Sequence, residues 1–267
     1  MDEELLRALL DRVKPVAVAA GKAILSIPPG AADVTDKADG TPLTRADLAS
    51  HETILAGLRE LEGAFPIVSE EGDLEGLDDA SYETFWLVDP LDGTKEFVKG
   101  LGEYTVNIAL IDRGRPVLGV VYVPAADELY YAASGLGAFK ARGAARPARI
   151  APSDRAAPRT AVVSRSHRSA QTEQFLKELN VTDTIERGSS LKMCAVAEGA
   201  ADIYPRFGPT FLWDTAAGTA VAREAGCAVA GPDGRDLSYD LAGGIRHAGF
   251  LVCPERLRGL SRLRASH

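Results

Sequence analysis

Cysteine, histidine and long apolar runs are all scarce in this chain. Its three cysteines, Cys194, Cys227 and Cys253, lie far apart and form no C-x-x-C pair. That excludes a disulfide framework and a cysteine zinc site, and it fits a reducing compartment. The four histidines, His51, His167, His247 and His267, make no H-x-x-x-H or related pattern, so histidine-bound zinc has no support either. No uncharged apolar run approaches the ~18 residues that span a bilayer. The opening Met1-Asp2-Glu3-Glu4 lacks the basic and apolar regions of a secretory signal. A cytoplasmic protein without a transmembrane segment is the expectation. Cationic charge is also short: 30 Lys and Arg against 38 Asp and Glu leave a net charge of -8. This argues against a nucleic-acid polymer as ligand, because binding a phosphate backbone relies on Lys and Arg displacing counterions. A small anionic ligand would have to meet local cations or metal ions.

Signatures of several enzyme classes are missing too. There is no G-x-x-x-x-G-K-[ST], no G-x-S-x-G and no complete G-x-G-x-x-G, since Gly100-Leu101-Gly102 and Gly135-Leu136-Gly137 both lack the third glycine. P-loop nucleotide hydrolases and serine hydrolases therefore drop away.

What is present is a chain of 267 residues, 46% hydrophobic, enough for one large domain or two packed subdomains. Apolar residues at helical spacing predict a helix from Glu3 to about Ile27, stopped by Pro28-Pro29-Gly30, and another from about Thr44 to Leu61 with Asp47 in its first turn. Short apolar runs at 66–69 and 85–88 read as buried strands that end abruptly in carboxylates. Segments 104–111 and 115–123, joined by Asp112-Arg113-Gly114, read as a hairpin, followed by a strand at 128–132. The Ala-, Arg-, Gly- and Pro-rich stretch 141–158 suggests a boundary between an N-terminal α+β subdomain, 1–155, and a C-terminal α/β subdomain, 156–267. Beyond it, strands at 161–164 and 201–204 alternate with helices at 170–179, 190–198 and 214–225. The acidic stretch 73–83 reads as a flap. The run Arg256, Arg258, Arg262 and Arg264 offers a basic edge for peripheral contact with the inner membrane, against the plainer reading of a solvated terminal helix.

Five carboxylates are candidates for one cluster: Glu70 and Glu71 after the first strand, Asp89 and Asp92 after the second, and Asp214 at a helix start. Hard divalent cations such as magnesium take oxygen ligands of this kind, together with water and substrate phosphate. Pro90 biases Asp89 toward an extended conformation, so a sharp turn after it would bring Asp89, the Leu91 carbonyl and Asp92 to face one point. Gly93 and Thr94 then open a short helical segment, 95–98, whose backbone N–H groups suit a phosphate. Alone, Asp89 and Asp92 would read as a surface turn; the apolar strands running into several acids speak against that. Counted from Asp89, the calcium-loop pattern fails at both its glycine and its final acid. Two residues separate Asp89 from Asp92, unlike the D-x-D pair of phosphatases that form an aspartyl-phosphate, which favours direct attack by a metal-activated water.

The chain resembles the inositol monophosphatase superfamily, and within it the bacterial 3′(2′),5′-bisphosphate nucleotidases. The resemblance rests on Ser69-Glu70-Glu71-Gly72, the block from Trp86 through Asp89-Pro90-Leu91-Asp92-Gly93-Thr94 to Phe97, the segment 104–110, Gly188-Ser189-Ser190-Leu191-Lys192, and Trp213-Asp214-Thr215-Ala216-Ala217-Gly218. It implies a layered αβαβα sandwich with the site in a cleft between the subdomains. It further implies a magnesium held by Glu70, Asp89 and the Leu91 carbonyl, a second held by Asp89, Asp92 and Asp214, and a third, weaker ion near Glu70. Asp47 and Thr94 would help Glu70 orient and deprotonate the attacking water, with Lys37 balancing the acidic cluster. Gly93, Thr94, His167, Gly188, Ser189, Lys192, Arg206 and Asp214 would hold the substrate, Lys192 and Arg206 supplying cations for a second phosphate.

The implied reaction is hydrolysis of adenosine 3′,5′-bisphosphate to AMP and phosphate, and of its sulfated relative, in sulfur metabolism, with sensitivity to lithium and calcium. The implied assembly is a monomer or homodimer. An inositol-1-phosphate or fructose-1,6-bisphosphate phosphatase with the same cage is the nearest alternative, and a non-catalytic metal or nucleotide sensor is the alternative from another class.

Overall fold

The computed structural model describes residues 1–29, 34–36, 42–61, 63–73, 82–165 and 169–266, with side chains to residue 261. Helix α1 (Glu3–Leu25) starts where the Asp2 carboxylate accepts the Leu5 N–H at 2.8 Å. A small ladder of β1 (Thr35–Asp36) and β2 (Pro42–Leu43) leads into α2 (Arg45–Arg59). The start of α2 is a capping box: Asp47 accepts from Thr44 N–H at 2.8 Å and from the Thr44 hydroxyl. This satisfies helix-start donors that otherwise lack partners and fixes where Asp47 points.

A seven-stranded sheet follows, with β3 (Ile67–Ser69), β4 (Thr84–Asp92), β5 (Thr105–Asp112), β6 (Arg115–Val123), β7 (Glu128–Ala133), β8 (Gly137–Arg142) and β9 (Ala148–Arg149) in spatial sequence order. Helix α3 (Thr94–Val98) leaves the end of β4. The first pair is parallel and the rest antiparallel. Alternate residues serve opposite faces: Trp86, Val88, Ile108, Leu110, Val120 and Tyr122 pack under α1 and α2, while Phe85, Leu87, Ala109, Ile111, Val121 and Tyr130 pack on the other side. Burial on both faces explains why the strand sequences read as unbroken apolar runs. Each fully buried Phe or Leu contributes roughly 1.5–3 kcal/mol.

The second half supplies β10 (Thr160–Ser164), α4 (Ala170–Glu178), β11 (Asp183–Arg187), α5 (Leu191–Ala197), β12 (Tyr204–Arg206), β13 (Thr210–Phe211), α6 (Leu212–Ala225), β14 (Cys227–Ala230), β15 (Arg246–His247) and β16 (Phe250–Pro254). Helices α5 and α6 fill the layer between the large sheet and a smaller one ordered β12-β16-β14. Beyond that sheet lies α4, packed through Phe175 and Leu176. The layers therefore run helix, sheet, helix, sheet, helix, the αβαβα sandwich expected. Helix α6 comes down close on β6 at Gly119, where an added Cβ would stand 2.7 Å from the Ala220 Cβ.

Several local expectations change. The β4 strand does not stop at Val88: it runs through Pro90 to Asp92, with a register shift between the Asp89–Asn107 and Asp92–Thr105 pairs. Proline lacks a ladder N–H, and the irregular step is where none is needed. The strand expected at 201–204 is displaced to Tyr204–Arg206, with Ile203 making only a single bridge to Ala161. Within the stretch expected to be irregular lie the end of β8 and β9. The acidic flap at 73–83 falls mainly outside the described residues, as does Lys37. Of the terminal arginines, Arg256 bonds the carbonyl of Ser153 at 2.7 Å and Arg258 bonds Glu255 and Asp236, so both are spent inside the molecule. Among the described residues no helix is long and apolar enough to cross a membrane.

Candidate active site

The carboxyl ends of β3 and β4, the start of α3, the turn into α5, the end of β12 and the start of α6 converge on one cleft of about 320 Å³. Of the predicted site residues that the structure describes, all line it except Asp47, which sits behind Thr94, and Glu71; His167 and Lys37 lie outside the described residues. Glu71 is not part of the close carboxylate trio that the structure brings together.

Helix α2 holds both strand ends in place. Its Ser50 hydroxyl donates to the Pro90 carbonyl at 2.6 Å, and His51 Nδ1 lies 2.9 Å from the Ser69 hydroxyl. Glu70 thus follows a strand end that is hydrogen-bonded to α2, and its own N–H donates to the Val88 carbonyl at 3.1 Å. Ligand oxygens of Glu70, Asp89 and Asp214 lie within 4.8 Å of one another. Asp92 stands apart from this close trio, because its Oδ2 accepts the Ser190 N–H at 2.6 Å and faces Asn107 Nδ2 at 3.5 Å.

The electrostatics of the floor are those of acids crowded out of water. Burial, then the neighbouring Glu70, Asp92, Asp214 and Asp47, pushes the Asp89 carboxyl well above the usual range. Burial, then Asp92 and Glu70, does the same to Asp214, whose only relief from its own turn is the Phe211 N–H at 3.2 Å. Asp92 is raised by burial to about 6, held back by Lys192 and the Ser190 N–H. Like-charged groups forced together in this way favour either a proton or a cation. The donor set is all oxygen, carboxylates plus the Leu91 carbonyl that Thr94 approaches at 3.3 Å, and fits a hard divalent ion. Thr94 Oγ1 also donates to Asp47 Oδ1 at 3.0 Å, linking α2 to the start of α3.

Gly93 is required by two things at once: its φ of +97° and the Ser189 hydroxyl, which an added Cβ would strike. That hydroxyl shares its one proton between the carbonyls of Asp92 at 2.7 Å and Glu103 at 2.9 Å, pinning the turn 188–190 across the cleft. Lys192, only 8% exposed, donates to the Ser189 carbonyl at 2.5 Å. Burial lowers its pKa, opposed by Asp92. Arg206 is fixed by Thr210 Oγ1 at 3.2 Å and the Pro209 carbonyl at 3.3 Å. Lys192 is thus buried, whereas Arg206 is half-buried with part of its guanidinium at the surface.

Asn107, Ser190 and Thr105 fall in the segments that carry the resemblance, but the sequence reading gave them no role; they form a buried chain, in which the Ser190 hydroxyl lies 2.8 Å from Asn107 Oδ1 and 2.9 Å from Thr105 Oγ1. A lone Asn in the otherwise apolar run 106–111 was the available signal. Glu103, Arg165, Tyr204 and Phe211 were also missed. Glu103 and Arg165 sit on loops with no pattern around them, and Tyr204 and Phe211 resemble ordinary core residues in sequence.

An oxygen-lined acidic floor at the ends of β3 and β4, completed by a carboxylate from α6 and faced by the buried Lys192 and the half-buried Arg206, defines a class. The chain belongs to the inositol monophosphatase family, whose pattern it matches over residues 6–258. Among individual relatives, it is 46% identical over 246 residues to the 3′(2′),5′-bisphosphate nucleotidase CysQ of Escherichia coli strain K12, covering 91% of this chain and 99% of that protein. The crystal structure of CysQ from Bacteroides thetaiotaomicron matches with a TM-score of 0.77 at 42% identity, covering 90% of this chain and 94% of that one. The extragenic suppressor protein suhB from Bartonella henselae matches with a TM-score of 0.78 at 25% identity, covering 97% and 99%.

Proposed function

We propose that this protein hydrolyses the 3′-phosphate of adenosine 3′,5′-bisphosphate, giving AMP and phosphate, with magnesium as its cofactor. The observation that carries the reading is the convergence of Glu70, Asp89 and Asp214 on one point in a cleft that also contains the buried Lys192. Likeness to the CysQ nucleotidases supports the substrate assignment. Glu70, Asp89 and the Leu91 carbonyl would hold one magnesium, and Asp89, Asp92 and Asp214 a second, with Asp89 shared. Magnesium there would lower the pKa of water and neutralise charge on the phosphoryl oxygens.

The protein's own groups do the rest. Thr94 Oγ1 donates its hydrogen bond to Asp47 Oδ1, which leaves its lone pairs free to accept from, and so orient, the attacking water beside Glu70. Gly93 and the start of α3 let the reacting phosphate approach the backbone closely. Lys192 and Arg206 receive the phosphate that does not react. An acidic floor alone would serve any phosphate monoester; the cations above it favour a ligand with two phosphates.

The test is a side-by-side assay of adenosine 3′,5′-bisphosphate, inositol 1-phosphate and fructose 1,6-bisphosphate with and without magnesium. The expected result is magnesium-dependent phosphate release fastest from the nucleotide. Equal or better turnover of inositol phosphate would sink the nucleotidase assignment, and no release from any of the three would leave the sensor reading in its place.

A further inference from the structure

An ion pair crosses the rim of the cleft. Glu103 lies in the loop before β5, and its carboxylate accepts the Gly188 N–H at 2.9 Å. It also meets Arg165 Nη2 at 3.2 Å and stands 3.9 Å from Arg187 Nη1. Arg165 follows β10, lines the cleft, and has a second carboxylate, Glu186, 3.7 Å from its Nε.

Three cations thus line the cleft on the side of β10, α5 and β12, and they differ in what holds them. Lys192 is fixed by the Ser189 carbonyl and Arg206 by the Pro209 carbonyl and Thr210 hydroxyl, all uncharged oxygens of their own turns. Arg165 is held by carboxylates, groups with the charge and planar oxygen pair that a phosphate also presents to a guanidinium. Its side chain is 37% exposed, where ion pairs contribute little net stability and exchange partners readily.

We propose that Arg165 is the exchangeable cation of this cleft: Glu103 occupies it in the empty protein, and the non-reacting phosphate of a bisphosphorylated nucleotide takes it over. The proposal rests on the phosphatase reading and deepens it by naming a residue that discriminates between ligands with one and two phosphates. A ligand with a single phosphate, seated on the acidic floor, leaves Arg165 with Glu103 and gains nothing there. A second phosphate dianion brings more charge than a carboxylate and displaces it. Glu103 keeps its other duties when Arg165 leaves, since Gly188 N–H and the Ser189 hydroxyl bond to its Oε2 and its carbonyl respectively. The turn leading to Lys192 therefore stays in place during the exchange.

Arg165→Ala and Glu103→Gln test this with two substrates, adenosine 3′,5′-bisphosphate and adenosine 3′-monophosphate, and with two non-reacting ligands, AMP and adenosine, whose binding is followed by calorimetry. Arg165→Ala should raise KM for the bisphosphate roughly ten- to a hundredfold, the loss of a charge-assisted contact. It should leave kcat within about twofold and the monophosphate unaffected, and weaken AMP but not adenosine. Glu103→Gln, which keeps an acceptor for Gly188 N–H, should lower KM for the bisphosphate alone. Equal losses on both substrates in either variant would show that the pair merely braces the rim, and would overturn the proposal. If the wild type hydrolyses neither substrate, the phosphatase reading fails separately. The AMP-against-adenosine difference then still decides Arg165, and its persistence in Arg165→Ala would refute the role.

Discussion

The acidic floor, Glu70, Asp89, Asp92 and Asp214, and the cationic wall, Lys192, Arg206 and Arg165, face the same cleft but are satisfied in different ways. Each cation already has oxygen partners within the protein, carbonyls and hydroxyls for Lys192 and Arg206, carboxylates for Arg165. The acids have donors as well, Leu91 N–H for Asp89, Ser190 N–H for Asp92 and Phe211 N–H for Asp214, but these leave their mutual repulsion unrelieved: Asp89 and Asp214 are both raised well above the ordinary carboxyl range, first by burial and then by their acidic neighbours. The fold keeps the wall in a finished state and the floor in an unfinished one. A wall that is finished without ligand gives specificity by exchange of partners, whereas an unfinished floor stores repulsion that a divalent cation relieves.

The sharpest way to break the comparison is at its most crowded acid. Asp89→Asn keeps the shape and removes the charge, so it should lower magnesium-dependent turnover by about a thousandfold or more, the scale of losing a metal that stabilises the transition state. The same change should raise the melting temperature of the metal-free protein by a few degrees, roughly 2–4 °C for each kcal/mol of repulsion removed. Loss of activity with a falling melting temperature would mean that Asp89 holds the fold together rather than waiting for an ion.

A smaller effect is expected from the wall. Lys192→Met retains the buried stem and deletes the charge, and should raise KM for adenosine 3′,5′-bisphosphate by about ten- to a hundredfold with a lesser effect on adenosine 3′-monophosphate. Steady-state kinetics on the two substrates separates this from general damage, which would reduce kcat on both alike.

How much of this the sequence disclosed follows the same division. The floor was legible, because apolar runs ending in Glu70 and in Asp89-Pro90-Leu91-Asp92 are local patterns, and Asp214 sits at a recognisable helix start. Its internal geometry was not. The close trio is Glu70, Asp89 and Asp214, while Asp92 is drawn aside by Ser190 and Asn107, residues 98 and 15 positions away that meet it only through tertiary packing. On the wall, the motif from Gly188 to Lys192 stood out by resemblance, but Glu103 did not, since its partners lie 62 to 86 residues away. The large sheet was readable up to the strand at 128–132. Strands such as β8, β11 and β14 escaped because they are short, partly exposed or adjoined by helix-like sequence.

The stored repulsion also sets a pH dependence, the gentlest of the three tests. A carboxyl whose pKa is raised on folding binds its proton more tightly in the folded state, so its contribution to stability is greatest in acid and is lost as pH rises through the folded pKa. For Asp92 that window runs from the ordinary value of 3.8 up to about 6, and for Asp89 and Asp214 it extends in the same direction. The metal-free protein should therefore be penalised at this cluster near neutrality. Magnesium needs the ionised forms, so its apparent affinity should fall by up to about tenfold per pH unit for each proton it must displace. Thermal shift with and without magnesium, from pH 7.5 down to pH 5, measures both limbs at once. The gain from magnesium should be largest at pH 7.5, shrink steadily through pH 6, and be much reduced throughout in Asp89→Asn. A gain independent of pH would mean that the ion does not compete with protons at these carboxylates, and the contrast between a finished wall and an unfinished floor would lose its physical basis.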